Sequence, residues 1–438
     1  MFARLTEFAL TQRLLVLGLA LLLTAAGLAA WRELPIDAFP DVSTTQVKII
    51  LKAPGMTPEE VEARIAAPVE TEMLGIPRQR ILRSISKYGL TDITIDFEDG
   101  TDIYWARSQV AERLNGVLPN LPPGVEGGLA PITTPLSEMF MFTVDAPRLD
   151  LAERRALLDW VIRPQLRTLP GVADVNALGG LVKTFEVAPD NAAMSARGVT
   201  LQELAEAIRA NNRNDGAGRL TEGEEVWLVR VEGAIKDLED LAGIVVKTVD
   251  GVPVRVADVA AVRLSSLTRY GGVTQDGRGE AVEGLVLGLK GANAQQVVAA
   301  VKQRLKEIEP SLPEGVQITP FYDRSALVER AVGTVTKALT EAIVLVLVLL
   351  ALFLGNARAA LTVALTLPLA ALATFLLMRQ FGLSANLMSL GGLAIAIGML
   401  VDGAVVVVEN IVNHLAHDQS PQPKLHRVYR AVREVATP

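Results

Sequence analysis

An apolar run long enough to cross a bilayer carries an acid at its centre. The stretch NLMSLGGLAIAIGMLVDGAVVVVENIVN, Asn386–Asn413, has Asp402 in its middle and Glu409 two turns later. A charged side chain at membrane depth costs roughly 2.5–3.5 kcal/mol or more, so such residues face a bundle interior or a water path. Asp402 and Glu409 are seven residues apart and lie on nearly one helix face, with Met399 and Val406 beside them. Gly391, Gly392, Gly398 and Gly403 offer a neighbouring helix a close approach. Asp402 can be read as hydrogen-bonded glue between helices or as a proton-relay carboxylate of a transporter, and the second reading is favoured.

Composition fits a membrane setting. The 438 residues are 50% hydrophobic and 21% charged, with a mean hydropathy of +0.33. Length suggests about three domains. The net charge of −7 gives no support to a nucleic-acid partner. There are no cysteines, hence no disulfide framework and no thiolate metal site. The three histidines, His414, His417 and His426, all follow the Asp402 stretch. A metal site elsewhere must use carboxylate, carbonyl or methionine ligands.

The uncharged run Leu14–Trp31 approaches the ~20 residues that span a bilayer. Arg4 and Arg13 precede it and place the N-terminus in the cytoplasm. A signal peptide cleaved after Ala29-Ala30 is the alternative. The run exceeds the usual apolar core of ~7–15 residues, and Leu28 fits the −3 position poorly, so an uncleaved anchor is expected.

A polar region follows, from Arg32 to about Lys337. Thr45–Leu51 alternates as a strand, and Thr57 with Glu60 forms a capping box for a helix running to about Leu74. Strands near Arg80–Ser86 and Thr91–Phe97 precede a helix over Thr101–Leu118. With one closing strand this order makes a ferredoxin-like split βαβ unit. A second unit begins at Leu136, with strand Phe140–Val144, helix Leu149–Leu169 and strand Ala173–Leu178. It is completed far downstream by strand Gly284–Leu289, helix Ala294–Ile308 and strand Val316–Pro320. The block between, Lys183–Tyr270, reads as an insertion with helix Leu201–Ala210, a turn cluster Asn211–Gly218 and solvated loop charge at Glu222–Glu225.

Beyond Lys337 the chain returns to the membrane. Ala338–Leu354 reads as a second span, with Glu341 near its outer edge. Gly355–Arg358 is a short loop with Arg358 on the cytoplasmic side, and Ala359–Met378, containing Pro368, is a third span. The Asp402 stretch is the fourth. Lys424, Arg427, Arg430 and Arg433 fit a cytoplasmic segment, and only Arg379 sits on the disfavoured side. Leu425–Pro438 reads as an amphipathic helix that stops abruptly, as inside a longer chain.

The order of the anchor, LPIDAFPDVS, the two βαβ units with an insertion, three more spans and VDGAVVVVEN resembles the resistance–nodulation–division (RND) efflux permeases. FEDGTDIYWARSQVAERL, LPEGVQI, YDRS and NLMSLGGLAIAIGMLVDGAVVVVEN are most similar to the heavy-metal efflux branch, the CusA/CzcA-like proteins. The resemblance runs from Met1 to Pro438. It implies an α+β membrane protein with four transmembrane helices and a large periplasmic region of two ferredoxin-like porter subdomains with an inserted docking subdomain. The implied divisions are 1–32 (cytoplasmic start and first span), 33–135 (first porter subdomain), 136–182 with 271–335 (second porter subdomain), 183–270 (docking), 336–413 (spans two to four) and 414–438 (cytoplasmic).

The resemblance further implies a multi-pass bacterial inner-membrane pump and proton/cation antiporter. It would be driven by the proton motive force and no cofactor. It would be a homotrimer partnered by a periplasmic adaptor (membrane fusion) protein and an outer-membrane channel. Asp402 matches the family's proton-carrying aspartate, with Glu409 and Asn410 in the same motif. Drug-exporting relatives carry two adjacent aspartates where this chain has Asp402-Gly403, which favours cations over organic compounds. Family members are about twice as long. A C-terminal half would supply the lysine that partners the aspartate and the methionine cluster of the copper and silver pumps. A truncated, non-transporting membrane scaffold is the reading from another class. Metal preference is mixed: GGLAIAIG resembles the copper and silver type, VDGA the zinc, cobalt and cadmium type.

Other candidates sit along the substrate path that the family implies. Met388 resembles a path methionine, but Leu400 and Val407 nearby cannot ligate metal, so packing is the favoured role. Met139 and Met141 share one strand face, with Glu138 beside them. They suit Cu(I) or Ag(I) and harder ions respectively, or simply a half-buried strand, which is preferred. His414 and His417, at i and i+3, read as surface residues of a solvated tail. No nucleophile–base arrangement, phosphate loop or zinc-protease motif is present in the sequence, so ions and not ATP should supply the energy.

Overall fold

The computed structural model describes residues 2–34, 36, 37, 40, 42–354, 357–417 and 422–435. Helix α1 (Phe2–Thr11) leads into α2 (Arg13–Glu33), the expected anchor. The LPIDAFPDVS linker follows, with Pro35, Ala38, Phe39 and Asp41 outside the described residues.

The first βαβ unit is built from β1 (Gln46–Lys52), α3 (Pro58–Val61), a π turn (Glu62–Ala66) and α4 (Ala67–Met73). It continues with β2 (Gln79–Lys87), β3 (Leu90–Phe97), α5 (Ile103–Val117) and β4 (Glu126–Leu129). The expected capping box forms: Thr57 N donates to Glu60 Oε2 at 2.9 Å, and Glu60 N to Thr57 Oγ1 at 3.3 Å. Val47, Ile49 and Leu51 alternate inward along β1 and meet Ala106, Val110 and Leu114 of α5 in one core. The antiparallel order β2-β3-β1-β4 is that of a split βαβ sheet.

The second unit opens with β5 (Glu138–Asp145), α6 (Leu151–Leu157), α7 (Arg163–Arg167) and β6 (Val172–Gly179). The inserted block then runs through β7 (Lys183–Pro189), α8 (Asn191–Ala196), α9 (Leu201–Asn211), β8 (Asp215–Glu222) and β9 (Glu225–Val231). It closes with α10 (Leu238–Gly243), β10 (Val245–Val249), β11 (Val252–Arg255), α11 (Val256–Val259) and β12 (Ala260–Ser266). β7 and β12 pair antiparallel, so the block leaves and rejoins its host at one place. The turn expected over Asn211–Gly218 is found at 212–214, while Asp215–Gly218 already belong to β8, and the charge run Glu222–Glu225 is the hairpin tip. Gly223, at φ +63°, supplies the left-handed turn.

The host resumes with β13 (Val273–Thr274), β14 (Glu280–Gly288), α12 (Ala294–Ile308) and β15 (Gln317–Asp323). β14 is central, flanked by β6 and β5, with β15 on the far side of β5. Phe140, Phe142 and Val144 pack on Val297, Val298 and Val301 of α12. Gly284 makes room for the Phe142 ring, since a Cβ there would meet its Cζ at 2.3 Å.

Helices α13 (Arg324–Leu354), α14 (Ala357–Gln380) and α15 (Leu387–His417) pack on one another, and α16 (Lys424–Val435) lies against α15 and α1. Among the described residues, three helical stretches are long and apolar enough to cross a membrane: Arg13–Glu33, Ala359–Gln380 and Leu387–His417. The expected second span, Ala338–Leu354, falls in α13 where many side chains lie outside the described residues, as do Gly355 and Asn356 of the expected loop. The abrupt end at 436–438 lies outside them as well. Arg379, on the disfavoured side by charge, pairs with Glu33 at 2.5 Å. The tightest helix approach is not at the α15 glycines, where an added Cβ would meet nothing within 4 Å. It is at Gly27, where a Cβ would stand 2.8 Å from the Leu372 carbonyl oxygen. There α2 presses on α14, beside Trp31 and Phe375 with ring centroids 4.4 Å apart.

Candidate functional site

Two opposite faces of α15 behave differently. Leu390, Leu393 and Ile397 are buried against α14 and the neighbouring helices, and Ala404, Val405 and Val408 pack on Ala360 and Val363. The other face is open. Met388, Gly392, Ile395, Met399, Asp402, Val406 and Glu409 recur every three or four residues, and each is exposed in this chain. The packed face therefore holds the helix in place while the carboxylates stand on its free side. Met388, 72% exposed, and Met399, 71% exposed, share that stripe.

Asn410 is turned elsewhere. Its Nδ2 donates to the Ala431 carbonyl at 2.9 Å and approaches Glu434 Oε2 at 3.5 Å. His414 Nε2 lies 2.6 Å from the same carboxylate oxygen. The hydrogen bonds from His414 and Asn410 hold the Glu434 carboxyl below the usual glutamate range. Asn410 and His414 thus clamp α16 to α15, which corrects both the grouping of Asn410 with Asp402 and the solvated role expected for His414. His417 stays local, with Nδ1 3.1 Å from the Asn413 carbonyl.

In the second unit a register shift separates Met139 from Met141. Phe140 pairs with Val286 but Glu138 with Leu287, leaving Met139 as the extra residue of a bulge. Met139 is 3% exposed and presses into the space left by Gly288, where a Cβ would meet its Cε at 2.3 Å. Met141 lies half-buried opposite Leu285 and Tyr322. The expected shared face is broken by the bulge. Glu138 remains exposed on the open sheet and acquires a neighbour that the alternation did not signal. Burial first, and then the charge of Glu138, push the Glu283 carboxyl above the usual glutamate range.

A cation that meets the Glu283 carboxylate would compete with a proton there. Its retention should therefore fall as pH drops toward the raised Glu283 pKa. Glu138→Gln removes the like charge and should move that fall to lower pH. Cation binding across a pH series checks this, and an unmoved midpoint contradicts the coupling. Among the described residues no group of three or more His, Asp or Glu side chains could hold a metal ion.

Two split βαβ units stand beside helices long and apolar enough to cross a membrane, one of them bearing a carboxylate at mid-length on a free face. The chain belongs to the AcrB/AcrD/AcrF family of RND permeases, which it matches over residues 5–438. It is 41% identical over 454 residues to the cobalt-zinc-cadmium resistance protein CzcA of Cupriavidus metallidurans, covering 100% of this chain and 42% of that protein. It is 40% identical over 415 residues to the cation efflux system protein CusA of Escherichia coli K12, covering 94% and 40%. The crystal structure of a heavy metal efflux pump superposes with a TM-score of 0.87 at 36% identity, over 99% of this chain and 42% of that one. The chain spans about two fifths of the length of these relatives.

Proposed function

We propose that this chain is the N-terminal half of a proton-driven inner-membrane permease that exports heavy-metal cations. The observation that carries this reading is the Asp402 stripe, an acid at mid-helix on the open face of an apolar helix whose other face packs through Leu390, Leu393 and Ile397. The relatives' names, cobalt-zinc-cadmium resistance and cation efflux, supply the substrate class. In this reading α13 is the fourth membrane crossing, beside α2, α14 and α15. The two βαβ units are porter subdomains, 183–270 is the docking subdomain, and a C-terminal half covers the Asp402 stripe.

The working assembly is a homotrimer joined to a periplasmic adaptor and an outer-membrane channel. The Glu138–Glu283 face is a waypoint for the cation, with Met141 beside it. Asp402 takes up and releases the proton, and Glu409 lies on its route. Cells expressing the native-length protein should withstand zinc, cobalt and cadmium, or copper and silver, and gain nothing against dyes and detergents. Protection against dyes alone would reassign the pump to organic substrates.

A further inference from the structure

Two sequence motifs 287 residues apart meet in one ion pair. Arg324, of YDRS, is 5% exposed and grips Asp37, of LPIDAFPDVS, with two arms. Nε and Nη2 donate to Oδ1 at 2.9 and 2.8 Å, and Nη2 also reaches Oδ2 at 2.8 Å. Its Nη1 donates to the Leu136 carbonyl at the entry to β5. Next to it, Asp323 accepts from Ser325 N at 2.9 Å and Ser325 Oγ at 2.6 Å, so the start of α13 is fixed at the end of β15. On the other side, the Asp37 amide donates to the Ala385 carbonyl at 3.1 Å, and Ile36 bridges Ala385. Ala385 immediately precedes the cap of α15, where Asn386 N donates to Ser389 Oγ at 2.9 Å and Ser389 N to Asn386 Oδ1 at 3.0 Å.

One pair of side chains therefore connects the start of the Asp402 helix, the exit of α2 and the β5 and β15 strands of the second unit. A buried ion pair adds little net stability compared with apolar packing, but its two-armed geometry specifies position. A cavity of about 350 Å³ adjoins it, lined by Asp37, Arg324, Leu136, Ser384 and Lys290. Lys290 there donates to the carbonyls of Ser43 and Thr44, at the head of the first unit. The joint thus has packed walls on three bodies and free volume on one side.

We propose that the Asp37–Arg324 pair is the joint through which displacement of the Asp402 helix moves the second βαβ unit. This rests on the reading that Asp402 takes up and releases a proton. Asp37 and Arg324 are positioning residues in this scheme, and neither touches the cation. Coupling between distant sites is carried by ion-pair networks and rigid elements that have two discrete arrangements, and this pair joins such elements.

The test uses the native-length protein in vesicles, with Zn²⁺ and Ag⁺ as probes. Cation-dependent proton flux and equilibrium cation binding are measured separately. Asp37→Asn should lower coupled flux about tenfold or more, within the usual range of coupling between sites, while cation binding stays near wild type; the thermal midpoint should fall, because the buried Arg324 charge is left uncompensated. The charge swap, Asp37→Arg with Arg324→Asp, should recover part of the flux. Should Asp37→Asn fail to fold, Arg324→Lys keeps the charge, loses the two-armed grip and carries the same expectation. Wild-type flux in the folded variant, or cation binding lost in parallel with flux, overturns the joint. A wild-type protein that shows no coupled flux overturns the proton-driven reading itself, and the joint with it.

Discussion

Asp402→Asn is expected to reduce cation resistance to that of cells lacking the pump, with the protein still present and assembled. Asparagine keeps the size of the side chain and can still hydrogen-bond, but it is neutral and cannot take up and release a proton. Asp402 lies on the open face of α15, while the helix is held by Leu390, Leu393, Ile397, Ala404, Val405 and Val408 on the other. The substitution therefore leaves the packing within this chain untouched. A merely structural acid, acting as glue between helices, would tolerate the amide well, because Asn also bonds across helices in membranes at about 0.6–2 kcal/mol. Near wild-type resistance in Asp402→Asn would support glue and end the relay assignment.

The second large effect concerns assembly. The β8–β9 hairpin carries Leu220, Val226, Trp227, Leu228, Val229 and Val231 at exposures of 40–84%. A two-stranded ribbon is marginal in water by itself, and a cluster of exposed apolar side chains marks a surface made for contact. If the proposed homotrimer forms, a neighbouring protomer is the expected cover for this exposed ribbon. Burying a side chain such as Leu or Val is worth about 1.5–3 kcal/mol. Replacing Trp227 and Leu228 together by Asp should therefore weaken the trimer by roughly two orders of magnitude or more. The membrane helices, remote in sequence, should fold as before. Native mass spectrometry of the detergent-extracted protein reads the outcome directly, and an undiminished trimer would remove the hairpin from the interface.

Local signals were legible where periodicity and capping agree. Helix Ala294–Ile308 was read to the residue because apolar positions at helical spacing, Val297, Val298, Val301, Leu305 and Ile308, follow the capping Asn293. The Thr57–Glu60 box and the alternation of β1 were equally plain. The β8–β9 hairpin was hidden for a physical reason. Gly216 and Gly218 read as turn residues, and its apolar side chains do not alternate between a core and solvent, because both faces are exposed.

Within the site, spacing alone placed Asp402 and Glu409 on one stripe, since helix geometry is local. What the stripe leaves open, and what α16 takes from it through Asn410 and His414, depends on packing between helices and was not encoded in spacing. The same holds for Met139, where a single bulge undid an alternation of five residues that looked regular. Asp37 and Arg324 stood in motifs that the sequence singled out, yet their contact spans the whole outer region. No local rule joins residues so far apart in the chain. Glu283 had no sequence signal beyond its strand; its raised pKa comes first from burial and then from the charge of Glu138.

Proton movement in vesicles containing the native-length protein decides most directly whether Asp402 couples a proton gradient to cation export. With a pH-sensitive dye inside, Zn²⁺ or Ag⁺ added on the uptake side should drive proton flux in the opposite direction in wild type. The same vesicles bearing Asp402→Asn should show none. Cation movement that leaves internal pH unchanged in wild type, or equal proton flux in the two proteins, would contradict it.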